Sequence, residues 1–244
     1  EVKAEKKTEK PKKAPKPKAP VELKDYGFVA VCMGKGITNI LKDLGVDRVI
    51  EGGQTMNPST DDILKAVKRV KAKTVYVFPN NKNIIMAANQ AAELVEDKKI
   101  VVIPSKSVPQ CISAMVEFND KKSAEANEKA MNKAIGRVTS GQLTYAVRDT
   151  EIDGIEIKKD DILGMVEGKI VTVGKDIDDV LNRVVSQMVD EDTEFLNVYY
   201  GKEIKKPQAD VMLKALETKY ADDEIEVSFK KGGQPLYYYI ISAE

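Results

Sequence analysis

The sequence contains no histidine and no tryptophan, and only two cysteines among its 244 residues. Without histidine the commonest general base and the commonest metal ligand are missing, which excludes a Ser-His-Asp triad, a Cys-His pair and His-containing zinc sites. Enzymatic chemistry would have to rely on carboxylates, Lys, Tyr or Mg. Cys32 stands in an apolar run and Cys111 in a helical pattern, so no disulfide framework is read and a reducing, cytoplasmic setting fits. No apolar run reaches the ~20 residues that a membrane span needs. The first residue is Glu1 and no signal-peptide pattern follows it, so a piece of a longer chain is expected.

Net charge is also absent, since 39 Lys and Arg balance 39 Asp and Glu. That balance gives no reason to expect nucleic acid or an acidic membrane surface as a partner. It hides two unlike parts: residues 1–24 hold nine Lys against four Glu, which leaves the remainder at a net charge of −5. The opening segment is Lys, Pro, Ala and Glu with no Leu, Ile or aromatic residue before Leu23. It cannot bury enough apolar surface to offset chain ordering and reads as a semi-extended linker.

From residue 25 to 141 short apolar runs alternate with helical patterns, the grammar of a parallel sheet with crossover helices. The candidate strands are Phe28 to Met33, Arg48 to Ile50, Thr74 to Phe78 and Ile100 to Ile103. Helical stripes follow them: Ile37, Ile40, Leu41 and Leu44, stopped by Gly45; Ile63, Val67 and Val70, capped by Ser59 and Thr60; Ile84, Ala88, Ala91 and Val95; Val108, Ile112, Met115 and Val116. A further helix runs from Ser123 to Val138, and Ser140-Gly141 is expected to break it. From 142 to 244 the pattern changes to closely spaced strands with Asp153-Gly154 and Glu167-Gly168 as hairpin turns, a helix around Ile177 to Met188, a helix starting at Pro207, and terminal strands. The expected architecture is α/β: a parallel βα lobe over 25–141 followed by a smaller α+β lobe over 142–244.

The most suggestive local feature is the turn Gly34-Lys35-Gly36 between the first strand and its helix, with Glu51 past the second strand. Glycines there let a phosphate approach a helix N-terminus, and an acid at that position holds a ribose. The third glycine is missing, because Asn39 stands in its place. Three other polar loops fall at the same sheet edge: Gly52 to Thr60 with Gln54, Thr55, Asn57 and Ser59; Pro79 to Asn83 with Asn80, Asn81 and Lys82; and Pro104 to Ser107 with Ser105 and Ser107. Such hydroxyls, amides and lysines can bind an anion or present hydrogen bonds to a partner, and they are also the usual caps and turns. Asp149, Glu151, Asp153, Asp160 and Asp161 lie in and around the hairpins, where strand-end acids are usually solvated rather than convergent on a metal.

The strings VCMGKGITNILKDLGVDRVIEGGQTMNPSTDDIL, VYVFPNNKNIIMAANQAA, VVIPSKSVPQCISAM, GQLTYAVRDTEIDGIEIKKDDILGMVEGKI and GGQPLYYYIISAE, in this order, resemble the C-terminal region of the DhaL-domain, dihydroxyacetone-kinase-like subunit of bacterial fatty acid kinase. The resemblance covers about residues 25 to 244. It implies kinship of the α/β lobe with the DegV and dihydroxyacetone kinase folds. In that family an N-terminal DhaL-like domain binds ATP and Mg through aspartates, a middle domain follows, and the C-terminal region docks a fatty-acid-carrying DegV-like protein. The fatty acid carboxylate is then phosphorylated to an acyl phosphate used in phospholipid synthesis. The kinase domain is not in this sequence, so no catalytic residue, metal site or cofactor is assigned to any position here. The resulting reading is a non-catalytic region whose partners are the carrier protein and its own kinase domain. The alternative is a small-molecule or anion-binding module in which Gly34, Lys35, Gly36 and the Thr55 loop hold the ligand. Covalent capture of a hydroxyketone by His has no candidate residue.

Overall fold

The computed structural model describes residues 23–53, 56–152 and 154–244. The expected linker therefore lies almost wholly outside the described residues, as do Gln54, Thr55 and Asp153. The first strand, β1 (Lys24–Cys32), begins at the last residue assigned to that linker, where the Lys24 ammonium pairs with Asp47.

Four parallel strands form the first sheet, in the order β2 (Arg48–Glu51), β1, β3 (Ala72–Phe78) and β4 (Lys99–Val102). Both faces are covered, which is why β1 and β3 read as near-continuous apolar runs. On one face Val29, Val31, Val75 and Val77 pack on α2 (Thr60–Arg69) and α3 (Ile85–Glu93) through Ile63, Val67, Ile84, Ala88 and Ala91. The opposite face of the sheet, with Phe28, Ala30, Cys32, Tyr76 and Phe78, meets Ile37 and Leu41 of α1 (Lys35–Asp43), Cys111, Ala114 and Met115 of α4 (Val108–Glu117), and Met131 of α5 (Ala124–Ile135).

That second core does not end with the first lobe. Tyr199 and Ile240 complete it, and they belong to a six-stranded mixed sheet ordered β11 (Glu226–Lys231), β10 (Phe195–Tyr200), β12 (Tyr239–Ala243), β5 (Thr139–Tyr145), β8 (Ile162–Val166) and β9 (Lys169–Gly174). Only β10 and β11 run parallel, and α7 (Lys206–Lys219) makes the crossover between them. Alternate residues of the same strands, Leu196, Val198, Tyr239 and Ile241, face the other way onto α6 (Ile177–Met188) and α7. The order of layers is thus helices, parallel sheet, helices, mixed sheet, helices. A small hairpin, β6 (Thr150–Ile152) and β7 (Ile155–Ile157), projects between β5 and β8.

Three sequence expectations change. Ser140 and Gly141 do not break the chain but lie inside β5, which starts at Thr139. Gly141 is required there by space, because a Cβ would fall 2.3 Å from Met188 Sδ of α6. In α4, Val116 points outward and is 69% exposed, while Gln110, Cys111, Ser113 and Ala114 are buried. A helix enclosed between two sheets buries a wider stripe than a surface helix, so the single-stripe reading misplaced its face.

The cap of α2 follows the sequence closely. Ser59 Oγ accepts from the Asp62 N–H at 3.2 Å, and the Asp62 carboxylate accepts from the Ser59 N–H at 3.0 Å and from its hydroxyl at 2.7 Å. The Ser59 hydroxyl, then its backbone N–H, hold the Asp62 carboxyl below its ordinary 3.8. A lowered folded value means that this contribution is present above the ordinary value and is lost as pH falls through the lowered one. Asp62→Asn, which keeps an acceptor but cannot titrate, is expected to lose less stability than the wild type between about pH 5 and pH 3. Equal losses in urea titrations at the two pH values would rule out this linkage.

Candidate functional site

The chain leaves β1 for β2 on one side and later returns to β3 on the other, so the carboxyl ends of β1 and β3 form a topological switch point. Ligands of open α/β sheets bind in the crevice outside such strand ends. Asn80, the second residue after β3, occupies it. Its backbone is left-handed, with φ of 55°, and the residue is 7% exposed. Its Nδ2 donates to the Val31 carbonyl of β1 at 2.9 Å, its Oδ1 accepts from the Ser105 hydroxyl at 2.7 Å, and its N–H donates to Ser105 Oγ at 3.2 Å. One amide therefore ties the ends of β1 and β3 to the loop after β4.

The crevice around it is lined by Cys32, Met33, Pro79, Val108, Tyr237 and Ile240 among others, and its volume is about 40 Å³. Burial pushes the Tyr237 hydroxyl up to about 12 and also raises the Cys32 and Cys111 thiols, so all three stay protonated at neutral pH. Nothing there is an activated nucleophile.

The Gly34-Lys35-Gly36 turn is engaged by the chain itself. Gly34 takes φ of 101°, and the Ile37 N–H in the first turn of α1 donates to the Gly232 carbonyl at 3.1 Å. A Cβ on Gly36 would lie 1.7 Å from the Lys231 carbonyl oxygen. The loop 231–234 fills the place over the helix end where a phosphate would rest, and Gln234 Nε2 anchors that loop by donating to the Tyr199 carbonyl at 2.7 Å. Lys35 projects into solvent, in an open groove with Lys42, Arg48, Glu51 and Lys202.

The structure gathers Asn80, Asn81, Lys82, Ser105 and Ser107 at the ends of β3 and β4. Asn57 and Ser59 stand apart at the start of α2: Asn57 is exposed and Ser59 is the cap. Beside Asn81 and Ser107 a cleft of about 210 Å³ opens between the two sheets, with Lys82, Asn83, Lys106 and Gln110 on one wall and Ser140, Gln142, Met165, Glu167 and Gly168 on the other. The walls meet where the Ser107 and Ser140 hydroxyls hydrogen-bond at 2.7 Å. Gln110, Ser140, Gln142, Glu167 and Gln234 were not singled out in the sequence. Only Gln110 carried a local signal, the Ser-x-x-Gln spacing of a helix start; the others arrive from the far end of the chain.

The hairpin acids do not converge. Asp149 accepts from the Lys159 N–H at 2.8 Å, Asp161 pairs with Lys175 and accepts from the Lys158 N–H, and Glu151 faces Glu156 across β6 and β7. Among the described residues no three of Cys, Asp and Glu come together as metal ligands would, and no helix is long and apolar enough to cross a membrane.

Residues 27–244 match the FakA-like C-terminal family, the C-terminal region of fatty acid kinase proteins of the A type. The chain belongs to that family. Protein YloV of Bacillus subtilis is 49% identical over 225 residues, which are 92% of this chain and 40% of the relative. This FakA-like C-terminal chain thus spans about two fifths of the length of the curated relatives it matches. Its fold is shared with solved structures of low identity. DegV of Bacillus subtilis, a fatty acid binding protein, superposes with a TM-score of 0.61 at 13% identity over 90% of this chain and 99% of that one. The Streptococcus pneumoniae fatty acid kinase B3 protein loaded with linoleic acid gives 0.57 at 11% identity over 90% and 99%. The dihydroxyacetone kinase of C. freundii gives 0.60 at 11% over 90% of this chain and 48% of that one. The architecture is therefore the α/β fold of DegV and dihydroxyacetone kinase, with a parallel and a mixed sheet, as the sequence strings imply.

Proposed function

We propose that this chain is the partner-docking region of a fatty acid kinase, which presents a DegV-like carrier protein with its fatty acid to a separate DhaL-type kinase domain. The observation that carries the reading is the size of the strand-end crevice. The chain has the fold of fatty-acid-binding proteins, yet the space at its switch point is about 40 Å³, against roughly 300 to 1,000 Å³ for a ligand pocket. Asn80, Val108, Tyr237 and Ile240 fill what an acyl chain would need. A family member that keeps the carrier's architecture without room for the cargo is suited to binding the carrier. Phosphoryl transfer needs converging acids around Mg and a cradle for the phosphates, and the α1 terminus is closed by Gly232. ATP and Mg accordingly belong to the kinase domain, not to the residues here.

The carboxyl edge of the parallel sheet is the face assigned to docking. It offers polar loops after β2, β3 and β4, and two side chains that serve as adaptable apolar anchors, Met56 and Met86, 64% and 71% exposed. The Lys-rich opening segment would act as a tether that raises the effective concentration of docked carrier at the active site. The chain added in excess to full-length kinase and loaded carrier should compete for carrier and lower acyl phosphate formation. Failure to inhibit, together with no complex in a pull-down, would remove the reading.

A further inference from the structure

We propose that the cleft between the two sheets is a binding site for a phosphate-sized oxyanion, distinct from the closed strand-end crevice. The argument begins with two side-chain amides. Gln110 Oε1 accepts from the Lys106 backbone N–H at 2.7 Å, and Asn81 Oδ1 accepts from the Asn83 N–H at 2.9 Å. A backbone N–H only donates, so both amide oxygens are fixed in place and the opposite atoms, Gln110 Nε2 and Asn81 Nδ2, are donors. Each of the two residues is 7% exposed, and neither nitrogen has a partner among the described residues. Neither is among the fully enclosed atoms left unpaired, so each opens into the cleft its residue lines.

Charge follows the same sign. Lys82 and Lys106 stand at the rim with no carboxylate in ion-pair distance among the described residues. The positive end of the ten-residue helix α4 points from the same wall, with Ser107 as its cap. The single carboxylate among the described lining residues, Glu167, is held to the opposite wall by the Ser140 N–H at 2.6 Å, while its own N–H donates to the Ser140 carbonyl. Buried donors without acceptors are costly unless something accepts from them. Two amides and two ammonium groups around about 210 Å³ match the several oxygens of a tetrahedral or carboxylate anion. The same oxyanion chemistry could be offered by free phosphate or by an acidic group on a docked protein. The site does not depend on the docking reading.

The test uses inorganic phosphate with the 244-residue chain at low ionic strength, followed by calorimetry and by the side-chain amide NMR signals of Asn81 and Gln110. Phosphate should shift both signals. Gln110→Glu keeps an oxygen for the Lys106 N–H but replaces the donor with a repelling carboxylate, and should weaken binding by about tenfold or more. Lys82→Ala with Lys106→Ala lies at the rim, leaves the fold intact, and should weaken binding by a similar factor. Wild-type melting with phosphate should rise, and the variants should lose that rise. Phosphate that displaces loaded carrier assigns the oxyanion to the carrier, whereas phosphate that binds without displacing it assigns a free ligand; both support the site. No shift of either amide signal, or phosphate binding equal in the wild type and the double lysine variant, overturns it.

Discussion

Gly36→Val should lower the thermal unfolding midpoint by roughly 6 to 12 °C or prevent folding, at about 2 to 4 °C per kcal/mol for a chain of this size and a cost of about 3 kcal/mol or more. The position does not need an unusual backbone, since residue 36 is inside α1. It needs the absence of a side chain. A Cβ there would sit 1.7 Å from the Lys231 carbonyl oxygen and 2.9 Å from that of Gly232, and both are backbone atoms that cannot rotate away. Any larger residue must therefore push α1 off the loop 231–234 and break the bond from the Ile37 N–H to Gly232. Gly36→Ala already carries this clash, so its cost should be close to that of valine rather than a small fraction of it. Lys35→Ala, one residue earlier but in solvent, should stay within about 0.5 kcal/mol of the wild type. If both glycine variants melted at the wild-type temperature, the packing of the two sheets through this turn would be wrong.

That turn also shows what could be seen in the sequence and what could not. Gly-Lys-Gly between an apolar run and a helical stripe marks a strand-to-helix connection, and the structure has one there. Its partner lies nearly two hundred residues later, and nothing local in Gly232-Gly233-Gln234 announces that it will cover a helix end. The same division runs through the fold. Strands with apolar runs, the Ser59 cap and the Glu167-Gly168 turn were legible because each is decided by neighbours a few residues away. The buried face of α4 was not, because it is set by two sheets on either side of it, and Val116 was assigned inward on periodicity alone. The candidate residues divide likewise. Asn81, Lys82 and Ser107 were visible as loop polars at strand ends, whereas Gln142 and Glu167, which complete the cleft, belong to a sheet whose approach no local pattern encodes.

Asn80→Ala should destabilise the chain by about 3 to 5 kcal/mol, the sum of a left-handed backbone imposed on alanine and of polar groups left without partners in a buried place. The two parts can be separated. At φ of 55° glycine carries no such backbone penalty, so Asn80→Gly should be the milder change by about 1 kcal/mol, the reverse of their order in a helix or strand. What remains in the glycine variant is the loss of the amide that joins the Val31 carbonyl to the Ser105 hydroxyl. Asn80→Asp tests the direction of that amide. The carboxylate can still accept from Ser105, but it turns an oxygen toward the Val31 carbonyl and buries a charge, so its carboxyl should titrate above the ordinary range. A raised folded value means that stability is lost as pH rises, so Asn80→Asp should be closest to the wild type in acid and fall away toward neutral pH. Urea midpoints for the three variants at two pH values decide the matter: alanine within about 1 kcal/mol of the wild type, or glycine worse than alanine, would mean that Asn80 does not hold the switch point together. The link to function runs through the same residue, because an Asn80 that locks β1, β3 and the loop after β4 also keeps the strand-end crevice closed and the loops beside it at fixed positions. Loss of carrier binding in Asn80→Gly at a temperature where that variant is still folded would show that the docking edge needs this lock and not merely a folded chain.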